Sequence, residues 1–147
     1  MKKTIVLILC CISILFFNGC GHGERRDVKQ AVDIRMENSQ NMSKINVGMT
    51  KDEVIQIMGN KTARVYDVAV TNPYKTELRQ SNEGTYEILY YYTHYDKRGR
   101  RTRRFTISEN ELTPIIFKDG KVIGWGKESL SQTIPNANTS KIDDSKY

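Results

Sequence analysis

Leu112-Thr113-Pro114-Ile115-Ile116-Phe117-Lys118-Asp119-Gly120-Lys121-Val122-Ile123-Gly124-Trp125 is the stretch that decides how this chain folds. Two apolar, β-rich runs, Leu112 to Lys118 and Lys121 to Trp125, flank Asp119-Gly120. An Asp-Gly pair between such runs specifies a two-residue type I′ hairpin, because both turn positions need positive φ. That loop length opposes Lys118 with Lys121, Phe117 with Val122, Ile116 with Ile123 and Ile115 with Gly124. Pro114 donates nothing to a ladder, so it belongs at the strand's start or on an edge. Upstream, Thr85 to Tyr95 (TYEILYYYTHY) is the strongest strand, β-branched and aromatic, led in by Ser81-Asn82-Glu83-Gly84. Arg64 to Thr71 (RVYDVAVT) reads as another strand, broken at Asn72-Pro73, and 72–81 reads as a loop.

Two helices precede the strands. Thr50-Lys51-Asp52-Glu53 is a capping box, with Met49 and Val54 placed for the accompanying hydrophobic staple. Asp52 and Glu53 also set negative charge at the positive end of the helix dipole. Val54, Ile57 and Met58 then face inward, and Gly59 stops the helix after two turns. So short a helix does not survive alone and must be pinned on a sheet. From Asp27, a candidate N-cap, Val28, Ala31, Val32 and Met36 recur near helical spacing. That first helix is expected to fade through Asn38-Ser39-Gln40-Asn41, which are poor helix formers.

The chain has 147 residues, 38% hydrophobic and 27% charged, which bounds it to one folded domain. Its 23 Lys+Arg exceed its 17 Asp+Glu, a formal charge of +6. Lys2 and Lys3 followed by Thr4 to Phe17 (TIVLILCCISILFF) form a charged n-region and an apolar h-region. At about 1.5 Å per residue this apolar run spans about 21 Å, short of a roughly 30 Å bilayer core, and reads as a secretory signal. The ending Phe17-Asn18-Gly19-Cys20 resembles the lipobox of bacterial lipoproteins, which makes Cys20 the residue that would carry palmitate and diacylglycerol. Cys10 and Cys11 would leave with the signal, so the mature body has no thiol and no disulfide. The expected organisation is a signal peptide over 1–19, a tether over 20–27, a domain over 28–130 and a disordered tail over 131–147. The fold class is α+β: two short helices packed on one face of a three- to four-stranded antiparallel sheet.

Asn46-Val47-Gly48-Met49-Thr50-Lys51-Asp52-Glu53-Val54, closed by Met58-Gly59, resembles the opening motif of SmpA/OmlA/BamE-like outer-membrane lipoproteins. Glu87-Ile88-Leu89-Tyr90-Tyr91 and Ile116-Phe117-Lys118-Asp119-Gly120-Lys121-Val122 resemble that family's later strands. Asn72-Pro73-Tyr74, Thr113-Pro114 and Gly124-Trp125-Gly126 point to a branch of small lipoproteins of unassigned function. The resemblance implies two helices on one face of a three-stranded sheet. It also implies an accessory role in outer-membrane β-barrel assembly or envelope integrity, on the periplasmic face of the outer membrane. In a host with a single membrane the anchor would hold the protein on the plasma membrane.

No catalytic constellation can be read from the sequence, and no enzyme activity, cofactor or metal is expected. His22 lies in the tether and His94 near the end of the Tyr-rich strand, too few ligands for a His₂ or His₃ centre. No nucleophile elbow, Walker loop or dinucleotide fingerprint occurs. Two surface features carry the functional expectation. Lys97, Arg98, Arg100, Arg101, Arg103 and Arg104 place six cations in eight residues. On an exported, anchored protein this run suits anionic headgroups or an acidic partner better than nucleic acid. The second is a sheet face left open by one-sided helix packing. Tyr86, Tyr90, Tyr92 and Trp125 are expected to form a protein-docking surface there. The function expected is a membrane-anchored, non-enzymatic binding protein whose partner is the β-barrel assembly machinery or another envelope protein. A ligand-binding or inhibitor-type module is the alternative.

Overall fold

The computed structural model describes residues 22–81, 83–96, 105–134 and 138–140, with side chains described from residue 27 to 134 within those spans. Helix α1 spans His22–Met42, starting inside the expected tether and continuing through Asn38 to Asn41 where fading was expected. Burial overrides propensity there. Asn38 is fully buried, and its Nδ2 donates to Asn72 Oδ1 and to the Tyr92 carbonyl, both at 2.9 Å. Asn72 Nδ2 donates back to Asn38 Oδ1 at 2.7 Å and to the Met58 carbonyl at 2.9 Å. This amide pair ties α1 to the end of the next helix, the strand bearing Tyr92 and the turn at Asn72.

Helix α2, Lys51–Met58, forms as its cap predicts. The Thr50 N–H donates to Glu53 Oε2 at 2.7 Å, and Thr50 Oγ1 accepts from the Glu53 N–H at 3.3 Å. Gly59 ends the helix at φ 72, its N–H donating to the Ile55 carbonyl.

The expected single strand over 64–71 is two: β1, Thr62–Val65, and β2, Val68–Thr71. Tyr66, at φ 55, turns the chain between them, and they make a separate two-stranded sheet. Ala63, Val65 and Val70 point inward on this hairpin, with Val68 partly covered. The expected loop over 72–81 is mostly strand: β3 runs Lys75–Ser81. Then come β4, Gly84–Tyr92, β5, Leu112–Lys118, and β6, Lys121–Trp125. Helix α3, Gly126–Thr133, and strand β7, Asn138–Ser140, draw on residues expected to be a disordered tail. The main sheet is antiparallel in the order β6-β5-β4-β3-β7.

The Asp119-Gly120 turn forms with φ 52 and 75, and Lys118 opposes Lys121 and Phe117 opposes Val122, as expected. Beyond these a bulge intervenes, so Ile116 opposes Gly124 and Ile115 opposes Trp125. The extra residue brings Gly124 under α3. A Cβ built on Gly124 would lie 3.2 Å from Ser129 Cβ, a tight contact, so the close return of the helix favours glycine there. Pro114 opposes Tyr90, whose carbonyl is already bonded to the Tyr74 N–H at 2.8 Å. The missing Pro114 donor therefore faces away from β4, past the end of β6, where no ladder bond is lost.

The α+β class and the antiparallel sheet are those the sequence predicts, but the core lies on both faces of the sheet. Val54 and Met58 of α2 join Ile45, Leu89, Tyr91, Ile115, Phe117 and Val122 on one side. Ile88, Tyr90, Tyr92, Leu112 and Ile116 face the other, in a cluster with Ala31 and Ile34 of α1, Phe105 and Ile134. Among the described residues no helix is long and apolar enough to cross a membrane.

Candidate functional site

The sequence-predicted residues fall into two groups. Cys20 and the six cations Lys97, Arg98, Arg100, Arg101, Arg103 and Arg104 lie outside the described residues. The tyrosines lie within them, and their placement corrects the expectation. Tyr86, Tyr90 and Tyr92 are only 1%, 5% and 1% exposed. The face they line is filled by the chain itself, through Phe105, Leu112, Ile116 and Ile134, with Ile107, Ile123 and Leu130 packed against the same cluster. Three tyrosines bring a large apolar area, which this core consumes instead of offering it to a partner. Trp125, 37% exposed, opposes Ile115 and so lies on the other side of the sheet.

The flanks of the cationic stretch are well defined. Glu111 is buried, 3% exposed, at the end of a 3-10 turn over Glu109–Glu111. Its Oε1 accepts from the Asp96 N–H at 3.1 Å, and its Oε2 accepts from the Ser108 N–H at 3.0 Å and Ser108 Oγ at 3.3 Å. One carboxylate thus holds the chain just before residues 97–104 and just after them. The Glu111 carbonyl accepts from the N–H groups of Thr93 and His94, each at 3.0 Å. Below this knot the hydroxyls of Thr93 and Thr113 meet at 2.6 Å, and Thr93 Oγ1 lies 2.7 Å from His94 Nδ1. Ser108-Glu109-Asn110-Glu111 is itself a capping-box sequence, a signal present in the chain that the sequence reading passed over.

A second polar cluster sits over the rim of the tyrosine face. Lys75, Glu77 and Arg79 of β3 oppose Tyr90, Ile88 and Tyr86. Glu77 accepts from Tyr90 Oη at 2.9 Å and from Arg79 Nη2 at 3.0 Å, and pairs with Lys75 at 3.0 Å. Lys75 also reaches Glu109 at 2.7 Å and lies 4.3 Å from the Tyr90 ring centre. Burial pushes the Glu77 carboxyl up, but hydrogen bonds from Lys75, Arg79 and Tyr90 outweigh it and hold the group below its ordinary range. Burial, followed by the bonded Glu77 carboxylate, pushes the Tyr90 hydroxyl far above its own. Alternation of charge and apolarity along Lys75 to Arg79 could have marked this strand. Each of these groups is bonded within the set, so the cluster seals the sheet rim and offers little to a substrate.

An opening of a different kind lies between α1 and β1. A hollow of about 480 Å³ is lined by Asp33, Ile34, Met36, Glu37 and Lys61 among others. It meets a second hollow of about 420 Å³ reaching Asp27, Arg64 and Tyr66, and the two share Gln30 and Thr62. No sequence signal announces it, because it exists only once 62–71 folds into a hairpin beside the helix. Among the described residues no group of three or more His, Cys, Asp and Glu is arranged to hold a metal ion.

No curated protein and no solved structure matches this chain. A family match does exist, and it takes in α1, α2, the strands β1 to β6 and nearly all of α3. Matched from residue 19 to residue 132, the chain belongs to DUF3192, a protein family of unknown function.

Proposed function

We propose that this protein is a lipid-anchored bacterial envelope protein that acts by binding, as an accessory to outer-membrane β-barrel assembly or envelope integrity. The supporting observation is the Glu111 clamp, which fastens both flanks of the six-cation stretch to one end of a rigid sheet. A run of cations whose two ends are fixed at one place is suited to meeting a charged surface, and solvation alone does not require such a clamp. Each basic residue near an anionic bilayer adds about 1 kcal/mol, fading within a Debye length of about 8 Å. Acyl chains on Cys20 would supply the anchoring, and the cations the orientation. The finer likeness to SmpA/OmlA/BamE-like lipoproteins rests on the cap at Thr50, the tyrosine strand and the Asp119-Gly120 hairpin. The match to DUF3192 opens at Gly19, next to the cysteine that the lipobox would acylate.

The test has two parts. Radiolabelled palmitate should enter the wild-type chain and not Cys20→Ser. The Cys20→Ser chain should still float with vesicles rich in phosphatidylglycerol in low salt, and lose that binding when Lys97, Arg98, Arg100, Arg101, Arg103 and Arg104 all become Gln. Equal flotation of both chains would remove the role of the cations. Purification of the acylated protein from detergent-extracted membranes should recover β-barrel assembly subunits, and their consistent absence would remove the assembly role.

A further inference from the structure

In the main sheet, β3 and β6 each have a backbone partner on their outer side. β7 pairs along β3. At β6 the chain leading into α2 does the same work: the Gly48 N–H donates to the Val122 carbonyl and the Val122 N–H to the Met49 carbonyl, both at 2.8 Å. β1, in the small sheet, pairs with β2 alone. Its ladder closes with Val65 opposite Val68 across a two-residue turn. In that register Ala63 and Val65 spend their backbone groups on β2, while those of Thr62 and Arg64 point away from it. Among the described residues no backbone partner reaches them. A bare edge is a template for another strand, and folds normally blunt it.

This edge borders the trough beside α1. The trough follows the helix from Asp27 to Gln40, about 20 Å at 1.5 Å per residue. It follows the strand from Lys61 to Tyr66, about 17 Å at 3.3 Å per residue. That length suits five or six extended residues (about 3.3 Å each). A helix satisfies its own backbone and would leave the Thr62 and Arg64 groups bare. We propose that the trough accepts an extended segment of a partner polypeptide, which adds as a strand to the free edge of β1. This specifies what the binding module proposed above would grip, and it rests on α1 and β1 alone, not on Cys20 or the cationic stretch.

The lining sets the chemistry of the segment. Asp27, Asp33 and Glu37 nearly balance Lys61 and Arg64, and Lys61 is bonded to Glu37 at 2.6 Å. An uncharged segment therefore fits best. Its inward side chains would meet Ile34 and the half-exposed Met36, and its outward ones water. The partner segment thus alternates apolar and uncharged polar residues. A second copy of this chain is disfavoured as occupant, since pairing β1 with itself would crowd two Lys61 and two Arg64 side chains onto one short ladder.

The test uses the full chain in detergent and a short capped peptide alternating threonine and valine. Saturating peptide should slow amide exchange at Thr62 and Arg64 by about tenfold or more, while Ala63 and Val65, already bonded, change little. Arg64→Pro removes an outward N–H that the hairpin does not use, so binding should vanish with the hairpin intact. If that variant unfolds, Gln30→Trp, which fills the trough from an exposed helix position, should abolish binding in its place. Three results would overturn the proposal: unchanged exchange at Thr62 and Arg64 with millimolar peptide, equal slowing at Ala69 and Thr71 of β2, or binding retained in the folded variants. Slowing that grows with protein concentration without peptide would name a second copy as the occupant and overturn it too. Failure here with vesicle binding intact would remove this inference and leave the membrane reading standing.

Discussion

Asn38→Ala is expected to be among the most damaging polar substitutions in the molecule. It deletes three hydrogen bonds of 2.7–2.9 Å and leaves the Tyr92 carbonyl and the Asn72 amide without those partners. Each bond is worth about 1 kcal/mol net and each abandoned buried group costs more, giving a loss of about 3–4 kcal/mol. Against a typical stability of about 5–15 kcal/mol this is a large fraction. The thermal midpoint should fall by roughly 10–20 °C. Helix propensity works the other way, since alanine is the better helix former. The neighbouring control separates the two effects: Ser39 is exposed, and Ser39→Ala should leave stability unchanged or raise it by a few tenths of a kcal/mol. Asn38→Asp keeps the shape and the acceptor but loses both donors and buries a charge, so it should be no milder than alanine. Urea unfolding followed by far-ultraviolet circular dichroism reads all three. A loss under about 1 kcal/mol for Asn38→Ala would refute the amide pair as a structural tie.

Tyr91 is fully buried and its hydroxyl has no hydrogen-bond partner among the described residues, so Tyr91→Phe should match wild type or gain up to about 1 kcal/mol by urea unfolding. Thr50→Ala breaks the capping box and should cost about 1 kcal/mol, seen as a lower urea midpoint at unchanged slope. Burial pushes the Tyr91 hydroxyl up from 10.0 to about 12. The folded state keeps a proton that the unfolded chain releases near 10, so stability is intact below that pH and falls as pH rises towards 12. Tyrosinate absorbance should therefore appear together with unfolding, and Tyr91→Phe should make the alkaline loss shallower. Glu77 carries the opposite sign: its lowered pKa adds stability above its ordinary 4.5, lost as pH falls through the lower folded value. Acid titration of Glu77→Gln should show a weaker slope in that window.

The elements whose reading succeeded are those whose signals are local. The Thr50 cap, the Gly59 stop, the tyrosine strand and the Asp119-Gly120 turn each depend on residues within a few positions of one another. The misreadings share a different cause. Asn38 looks like a helix breaker until Asn72, 34 positions away, is brought to it. The register beyond Phe117 depends on a bulge that lets α3 approach Gly124. Tyr86, Tyr90 and Tyr92 looked like a docking surface because nothing in their own strand says that Phe105 and Ile134 will cover them. Of the candidate site, the cations were legible as composition. The Glu111 clamp was legible only as the Ser108-to-Glu111 cap, and the α1–β1 trough was not legible at all.

The segment that seals β6 is also the one that starts α2. Gly48 and Met49 bond Val122, the Lys51 N–H donates to the Gly120 carbonyl at 3.1 Å, and Thr50 both bridges Lys121 and caps the helix. A two-turn helix in isolation would melt from its ends. Here its first turn is clasped to the hairpin, so opening either piece breaks bonds to the other, which couples the two in local unfolding.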